Sequence, residues 1–402
     1  MKMRVGLFVC VLACVVAVSA VAADWPWYRG PNHNGITSET DWSHEWPAEG
    51  PKTLWKASVG VGFSSMTVAG GRVYTMGNVD KKTDVVWCFD AETGKELWTH
   101  RYACPLEAKY YEGGTLSTPT VDGDRVYSLS KMGDLFCLNA ADGKVVWQKQ
   151  LNKELGFKHP TWHFASSGLI SGDLIIFNMG DAGLALNKKT GQVEWENGKG
   201  ECGYSTPVPA KMGGKDLVVL FGKDSTMAVQ AVDGKPTWRF KWETKYDVNA
   251  ADPIVIGDTV FVSSGYDRGC GLFRIEADKG VQVWENKVIR NHMNCSMLID
   301  GYIYGFDEPE LRCLDLKDGK EKWGEGSLGK GALMASADGR LIIMSEEKGE
   351  LVIAKANPAG FTALAKARIL PKGKCWTTPV LANGRIYARN AKGDMVCVSV
   401  KP

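Results

Sequence analysis

Several short segments of this chain gather residue types that could bind or transform a ligand: Tyr110-Tyr111-Glu112, His159 to His163 with Trp162 between, Glu201-Cys202-Gly203-Tyr204, Tyr246-Asp247-Val248-Asn249, Asn291 to Cys295, Lys330, and Lys374-Cys375-Trp376. The candidate binding set drawn from them is Tyr111, Trp162, His163, Tyr204, Asn249, His292, Asn294, Lys330 and Trp376. Aromatic faces with a few polar groups are what a ligand pocket requires. Asp252 completes the set and is the one candidate for catalysis. As a lone carboxylate it could accept a bond from a sugar, help hold a cation or act as a base. The competing reading is an Asp-Pro turn residue bonded to its own backbone. Cys104, Cys202, Cys295 and Cys375 also fall on these segments. Their offsets differ, so they do not form the converging thiolates of a metal site. No nucleophile elbow, phosphate-cradling glycine loop or zinc spacing occurs.

The elements that must position these residues follow from a repeat. Asn139-Ala140-Ala141-Asp142-Gly143-Lys144-Val145-Val146-Trp147 is a turn followed by a strand ending on tryptophan. The Gly-x-x-x-Trp spacing occurs six times, at Gly94/Trp98, Gly143/Trp147, Gly191/Trp195, Gly234/Trp238, Gly280/Trp284 and Gly319/Trp323. Successive tryptophans are 49, 48, 43, 46 and 39 residues apart, the length of one four-stranded sheet. Each unit reads as four strands, with a Gly-containing hairpin turn such as Asp122-Gly123-Asp124 after the first.

First strands begin near Ser64, Ser117, Ser166, Ser205, Ala251, Cys295, Leu333 and Thr377, which makes eight units. The seventh has Leu364 where tryptophan is due. The eighth stops after three strands, and the strand carrying Trp55 at the other end of the chain supplies its fourth. The expected fold is all-β: an eight-bladed β-propeller over residues 52–402, closed by both termini. Trp55, Trp98, Trp147, Trp195, Trp238, Trp284 and Trp323 are then structural residues packed between blades. At about 25 cal/mol per Å2 over roughly 150–250 Å2, each contributes several kcal/mol. Aligning the first strands gives one position around the ring: Ser65, Thr118, Ser167, Thr206, Asp252, Ser296, Met334 and Thr378. Asp252 is its only charge.

Residues 1–23 read as a signal peptide: Lys2 and Arg4, an apolar run from Val5 to Val18, then a small-residue cleavage site at Ala22 or Ala23. Cys14 follows Val11-Leu12-Ala13, a poor lipobox. The expected location is therefore periplasmic or extracellular. Loss of Lys2 and Arg4 leaves 46 basic and 46 acidic residues, so nothing in the charge points to nucleic acid or an anionic membrane. Loss of Cys10 and Cys14 leaves nine cysteines, which is not a disulfide scaffold. No further apolar stretch could span a membrane. Residues 24–51 form an aromatic arm, packed down without regular structure.

The Asp/Asn-x-x-x-Gly-x-x-x-Trp signature resembles the pyrroloquinoline-quinone (PQQ)-like propeller repeat. The leader Asp24-Trp25-Pro26 to Arg29-Gly30-Pro31, Ser263 to Tyr266, Asn291-His292, Gly301 to Gly305 and Gly384 to Tyr387 extend that resemblance to the exported PQQ-binding-like propellers. It implies one of two activities. Quinoprotein dehydrogenases bind PQQ and calcium in the channel and oxidise alcohols or sugars; BamB-type proteins are cofactor-free scaffolds in outer-membrane protein assembly. No two cysteines here are adjacent, unlike the disulfide beside the quinone in the alcohol-oxidising members. The leading expectation is a monomeric, non-catalytic scaffold for a protein or glycan. The alternative is a PQQ and calcium oxidoreductase with the quinone stacked on Trp162 or Trp376 and Asp252 holding calcium or acting as base. That alternative requires Asp252, Asn249, His163 and Trp376 to line one cavity.

Overall fold

The computed structural model describes residues 23–402; the proposed leader lies outside them, except for Ala23. Blade 2 shows the local logic. Its strands are Thr120–Asp122, Arg125–Leu129, Asp134–Asn139 and Val145–Gln150, paired antiparallel in sequence order. The inner and middle strands are largely buried while the fourth is exposed or half-buried throughout. None of its six residues, Val-Val-Trp-Gln-Lys-Gln, is fully buried, as fits an outer edge that faces water.

The same pairing recurs in blades that begin with Thr67–Ala69, Leu169–Ser171, Val208–Met212, Ile254–Ile256, Met297–Ile299, Ala332–Ser336 and Val380–Ala382. The last blade takes its fourth strand, Thr53–Ser58, from the other end of the chain. Trp55 pairs with Cys397 there, as Trp98 pairs with Cys88 and Trp147 with Cys137. Joining the termini removes an open sheet edge from the ring.

Each tryptophan locks onto the next blade. The indole Nε1 of Trp98 donates to Ala140 O at 2.9 Å and that of Trp147 to Lys188 O at 3.0 Å; Trp55, Trp195, Trp284 and Trp323 do the same with Ala91, Ala231, Leu316 and Asn357. The rings of Trp55, Trp98, Trp147, Trp195 and Trp284 also lie against the glycine of the neighbouring turn, whereas Gly360 beyond Trp323 stands in open space. At Gly143, with φ 72°, a Cβ would stand 2.5 Å from the Trp98 ring. Gly143→Ala therefore adds a clash to left-handed strain and is expected to cost roughly 2–4 kcal/mol. Gly123→Ala, at φ 58° with open space around it, should cost only about 1–2 kcal/mol. Urea midpoints of the two variants check the difference.

One copy of the motif departs from the rest. Gly280 lies within a strand, paired with Ile275, because blade 5 turns tightly at Ala277-Asp278. It meets Phe240 rather than Trp238, and the Trp238 Nε1 is buried with no partner. Here the outer strands of blades 4 and 5 touch through a parallel pair at Arg239 and Lys279.

The arm is more structured than the sequence implies. Trp25 bridges Val68 of blade 1, Pro26 O accepts from Val121 N of blade 2, and Ile36–Thr37 adds a parallel strand to the inner edge of blade 7. The arm thus crosses the ring at the hairpin end of the inner strands. It then leaves along the seam between blades 7 and 8, where Trp42 is buried. The Arg340 guanidinium stacks 3.6 Å from the Trp42 ring, and Ser43 N donates to Val400 O at 2.7 Å. Val400 holds the place in blade 8 that Ala91, Ala140 and Lys188 hold in theirs, since the amide of each bonds back to its own hairpin turn. Trp42 therefore fills the seam where blade 7 offers only the partly exposed Leu364.

Candidate functional site

The first residues of each inner strand face the channel. Their amides have no strand partner on that side, so they need another acceptor. The repeat solves this laterally. Ser65 N donates to Thr118 Oγ1 at 3.0 Å, Thr118 N to Ser167 Oγ at 2.9 Å, Ser167 N to Thr206 Oγ1 at 3.2 Å and Thr206 N to Asp252 Oδ1 at 2.8 Å. Asp252 N continues to Cys295 Sγ at 3.2 Å.

This pattern corrects the sequence alignment at two blades. Met297 pairs with Tyr304 as Thr67 pairs with Tyr74, and Ala335 pairs with Leu341. The ring position is therefore Cys295, not Ser296, and Leu333, not Met334. Ser296 turns away to Asn291, its hydroxyl 2.8 Å from Oδ1. The reading of Asp252 as a residue bonded to its own backbone is also corrected. Its carboxylate serves the amide of the preceding blade.

Above this ring the mouth loops enclose a cavity of about 290 Å3. Seven of the ten candidates line it: Tyr111, Trp162, Tyr204, Asp252, His292, Asn294 and Trp376. Lys330 stands at the rim, paired with Glu308 at 3.1 Å and with Nζ 3.2 Å from His292 Nδ1. Asn249 and His163 do not line the cavity. Asn249 is fully committed: its Nδ2 bonds the carbonyls of Gly222, Lys223 and Trp242, and its Oδ1 accepts from Thr244 and Ser264. It fastens the loop between blades 4 and 5. His163, at φ 70°, sits beside His159, and burial followed by the Lys131 ammonium lowers its pKa. The requirement that Asp252, Asn249, His163 and Trp376 share a cavity is thus met by two of the four.

Sequence reasoning missed Phe63 and Tyr28. Phe63 stacks on Trp376 with ring centroids 5.7 Å apart, and Tyr111 packs against Phe63 and Trp162 at 5.7 and 6.2 Å. Tyr266 meets His292 edge-on at 4.7 Å on the other side. Tyr28 comes from the arm and lines the cavity, which makes the arm its floor. Next to it Arg29 is 4 % exposed, donating to Asn34 O and Ser296 O at 3.0 and 2.9 Å. Its positive φ of 64° lets the chain fold back at this point. The only sequence signal for this was an arginine set among aromatics and glycine.

Asp252 is 6 % exposed. Burial pushes its pKa up to about 6, against the pull of Arg29 and the Thr206 amide. Burial and Lys330 drive His292 down to about 4, so it is neutral at pH 7. The cavity therefore offers aromatic faces, hydroxyls and a single formal charge, that of Asp252.

The family profile described as "outer membrane protein assembly factor BamB" matches residues 35–109 and 82–325. The chain belongs to this family. BamB of Yersinia pestis is 22 % identical over 368 residues, covering 85 % of this chain and 77 % of that protein. BamB of Burkholderia pseudomallei is 24 % identical, covering 85 % and 86 %. In fold, this BamB-family chain superposes on BamB from Moraxella catarrhalis with a TM-score of 0.62 at 15 % identity, covering 87 % and 97 % of the two chains. It superposes on the quinohemoprotein alcohol dehydrogenase of Comamonas testosteroni with a TM-score of 0.69 at 13 % identity, covering 94 % and 81 %. At these identities the likeness is one of fold.

The residues of this BamB-family cavity do not fit PQQ and calcium. PQQ carries three carboxylates, yet no lysine or arginine lines the cavity and its one charge is negative. The rim cations Lys330 and Lys374 are already paired with Glu308 and Glu112. Calcium takes about 6–8 oxygens. Here the single carboxylate has one oxygen on an amide and Arg29 close behind, and among the described residues no group of three metal-ligating side chains forms. The nine cysteines among the described residues are all buried and unpaired. Among the described residues no helix is long and apolar enough to cross a membrane.

Proposed function

We propose that this BamB-family chain is an exported, non-catalytic binding scaffold that receives part of a protein or glycan partner in the cavity at the channel mouth. The observation that carries the reading is a blind cavity, floored by the arm, whose lining is aromatic and hydroxylic with one carboxylate. Such a lining recognises shape and hydrogen bonds; among the described residues none of its serine or threonine hydroxyls is bonded to a histidine or carboxylate that could activate it, and neutral His292 is the only other titratable group besides tyrosines. The relatives' described role in outer membrane protein assembly supports a partner-binding role rather than a turnover role. The run of basic, apolar and small residues at the start of the sequence supports export.

Reconstitution with PQQ and calcium, followed by absorption spectroscopy and a dye-linked assay on alcohols and sugars, tests it. The expected result is neither a bound-quinone spectrum nor oxidation. Either one overturns the scaffold reading. Native mass spectrometry of protein purified from its own host is expected to show a non-covalently retained partner.

A further inference from the structure

The ring of hydroxyls has a property that its structural role does not use. Thr118 Oγ1, Ser167 Oγ and Thr206 Oγ1 each accept an amide from the preceding blade. Among the described residues none of the three donates its own proton to a protein group, whereas Ser65 spends its proton on Thr378 O. Three successive blades thus present idle O–H donors on the cavity wall. The next position in the arc reverses polarity. Asp252 has one oxygen on Thr206 N and the other left as an acceptor. Asn294 donates through Nδ2 to Gly331 O at 2.7 Å, which leaves its amide oxygen as a second acceptor on the lining.

We propose that the ligand of this cavity is a neutral sugar residue of a glycan, held by the arc of Thr118, Ser167, Thr206, Asp252 and Asn294 beneath an aromatic rim. This deepens the binding reading above and rests on it. Sugar hydroxyls both donate and accept, so they satisfy three donors and two acceptors on one wall. The apolar C–H face of a pyranose suits the Phe63–Trp376 stack or the Tyr111–Trp162 pair. Other classes match less well. A lipid chain would leave five polar groups desolvated. An anion would face Asp252 with no lining cation to balance it. A simple cation would make no use of the donors. The cavity, about 290 Å3, lies at the small end of the roughly 300–1,000 Å3 typical of ligand pockets, which suits one or two rings with the rest of the glycan leaving through the mouth.

Calorimetric titration with cellotetraose, xylotetraose, mannotetraose and chitotetraose, with an acidic galacturonate tetramer and an unrelated peptide pool as comparators, tests the proposal. At least one neutral oligosaccharide is expected to bind, and the acidic one is not. Thr206→Val should weaken the binding about tenfold, the worth of one good hydrogen bond, while Thr206→Ser retains it. Trp376→Ala leaves the ring bonds intact and should also weaken binding, which separates loss of contact from loss of folding. Failure of all four neutral sugars at millimolar concentration overturns the sugar assignment. If a peptide is then found bound, the scaffold reading survives without it; if a quinone is found, both fall.

Discussion

Trp42→Ala is expected to destabilise the protein by about 3–5 kcal/mol, as much as truncating one of the blade tryptophans. In every other seam but that of Trp238, an indole from one blade bonds a carbonyl in the next. At the seam between blades 7 and 8 this device is missing, because the repeat ends on Leu364. The arm fills the gap with a side chain 4 % exposed, stacked under Arg340, whose Nη1 also donates to Trp42 O at 2.8 Å. Removing the indole opens a cavity in the largest apolar cluster, which joins the arm to both blades. It also strips Arg340 of its stacking partner. Urea denaturation followed by circular dichroism, beside Trp98→Ala as reference, provides the comparison. A loss below about 1 kcal/mol, within the range of an ordinary surface substitution, would show that Trp42 merely rests on the seam. In the Trp42→Ala background, Leu364→Trp should restore part of the loss.

Asp252→Asn is expected to stabilise the protein at pH 7 by up to roughly 3 kcal/mol and to change little near pH 4. The sign follows from linkage. The folded-state pKa of Asp252, about 6, lies above the ordinary value of 3.8 because the carboxyl is buried. Between those two values the folded chain holds more protons than the unfolded one, so stability falls as pH rises through about 6. A shift of about two units at about 1.4 kcal/mol each sets the ceiling. Asparagine keeps an oxygen for the Thr206 amide and removes the charge. Unfolding free energies of both proteins from pH 4 to 8 isolate this group, since every other titration is common to the two. A variant less stable than wild type at pH 7 would mean that Arg29 compensates the charge more fully than burial penalises it. A charge kept at such cost in a ligand cavity is what stability–function exchange leads one to expect.

The repeat was legible in the sequence because its signals are local. A glycine at fixed distance from a tryptophan sets the turn and the seam together, and a missing fourth strand at one end matched a spare one at the other. The cavity was legible in outline for a related reason: loops between blades converge on the axis, so aromatic and polar residues there meet. What escaped depended on pairing across strands. Ser296 and Cys295 differ by one position, and only the register with Tyr304 decides which faces the neighbouring blade. Gly280 kept the motif spacing while the turn beside it changed. Asn249 and His163 sit on the right loops, yet buried hydrogen bonding takes the first and a positive φ turns the second aside. Arg29 escaped because it lies outside the repeat; Phe63 was within reach, since it stands two residues before Ser65 as Tyr204 and Trp376 stand before Thr206 and Thr378.

The closure of the last blade has a consequence for the order of events during folding. Thr53–Ser58 pairs with Asp394–Ser399, and the arm's Ser43 bonds Val400, so the first blade strand along the chain waits for the last. Its contacts are as non-local as the chain permits, and such contacts form slowly. Until Asp394–Ser399 is in place, blade 8 and the seam beneath Trp42 cannot be completed. Because Trp376 and Thr378 of blade 8 line the cavity, that part of its wall is fixed only when the two ends pair, and a variant lacking Asp394–Ser399 would leave it unsupported even with the other seven blades intact.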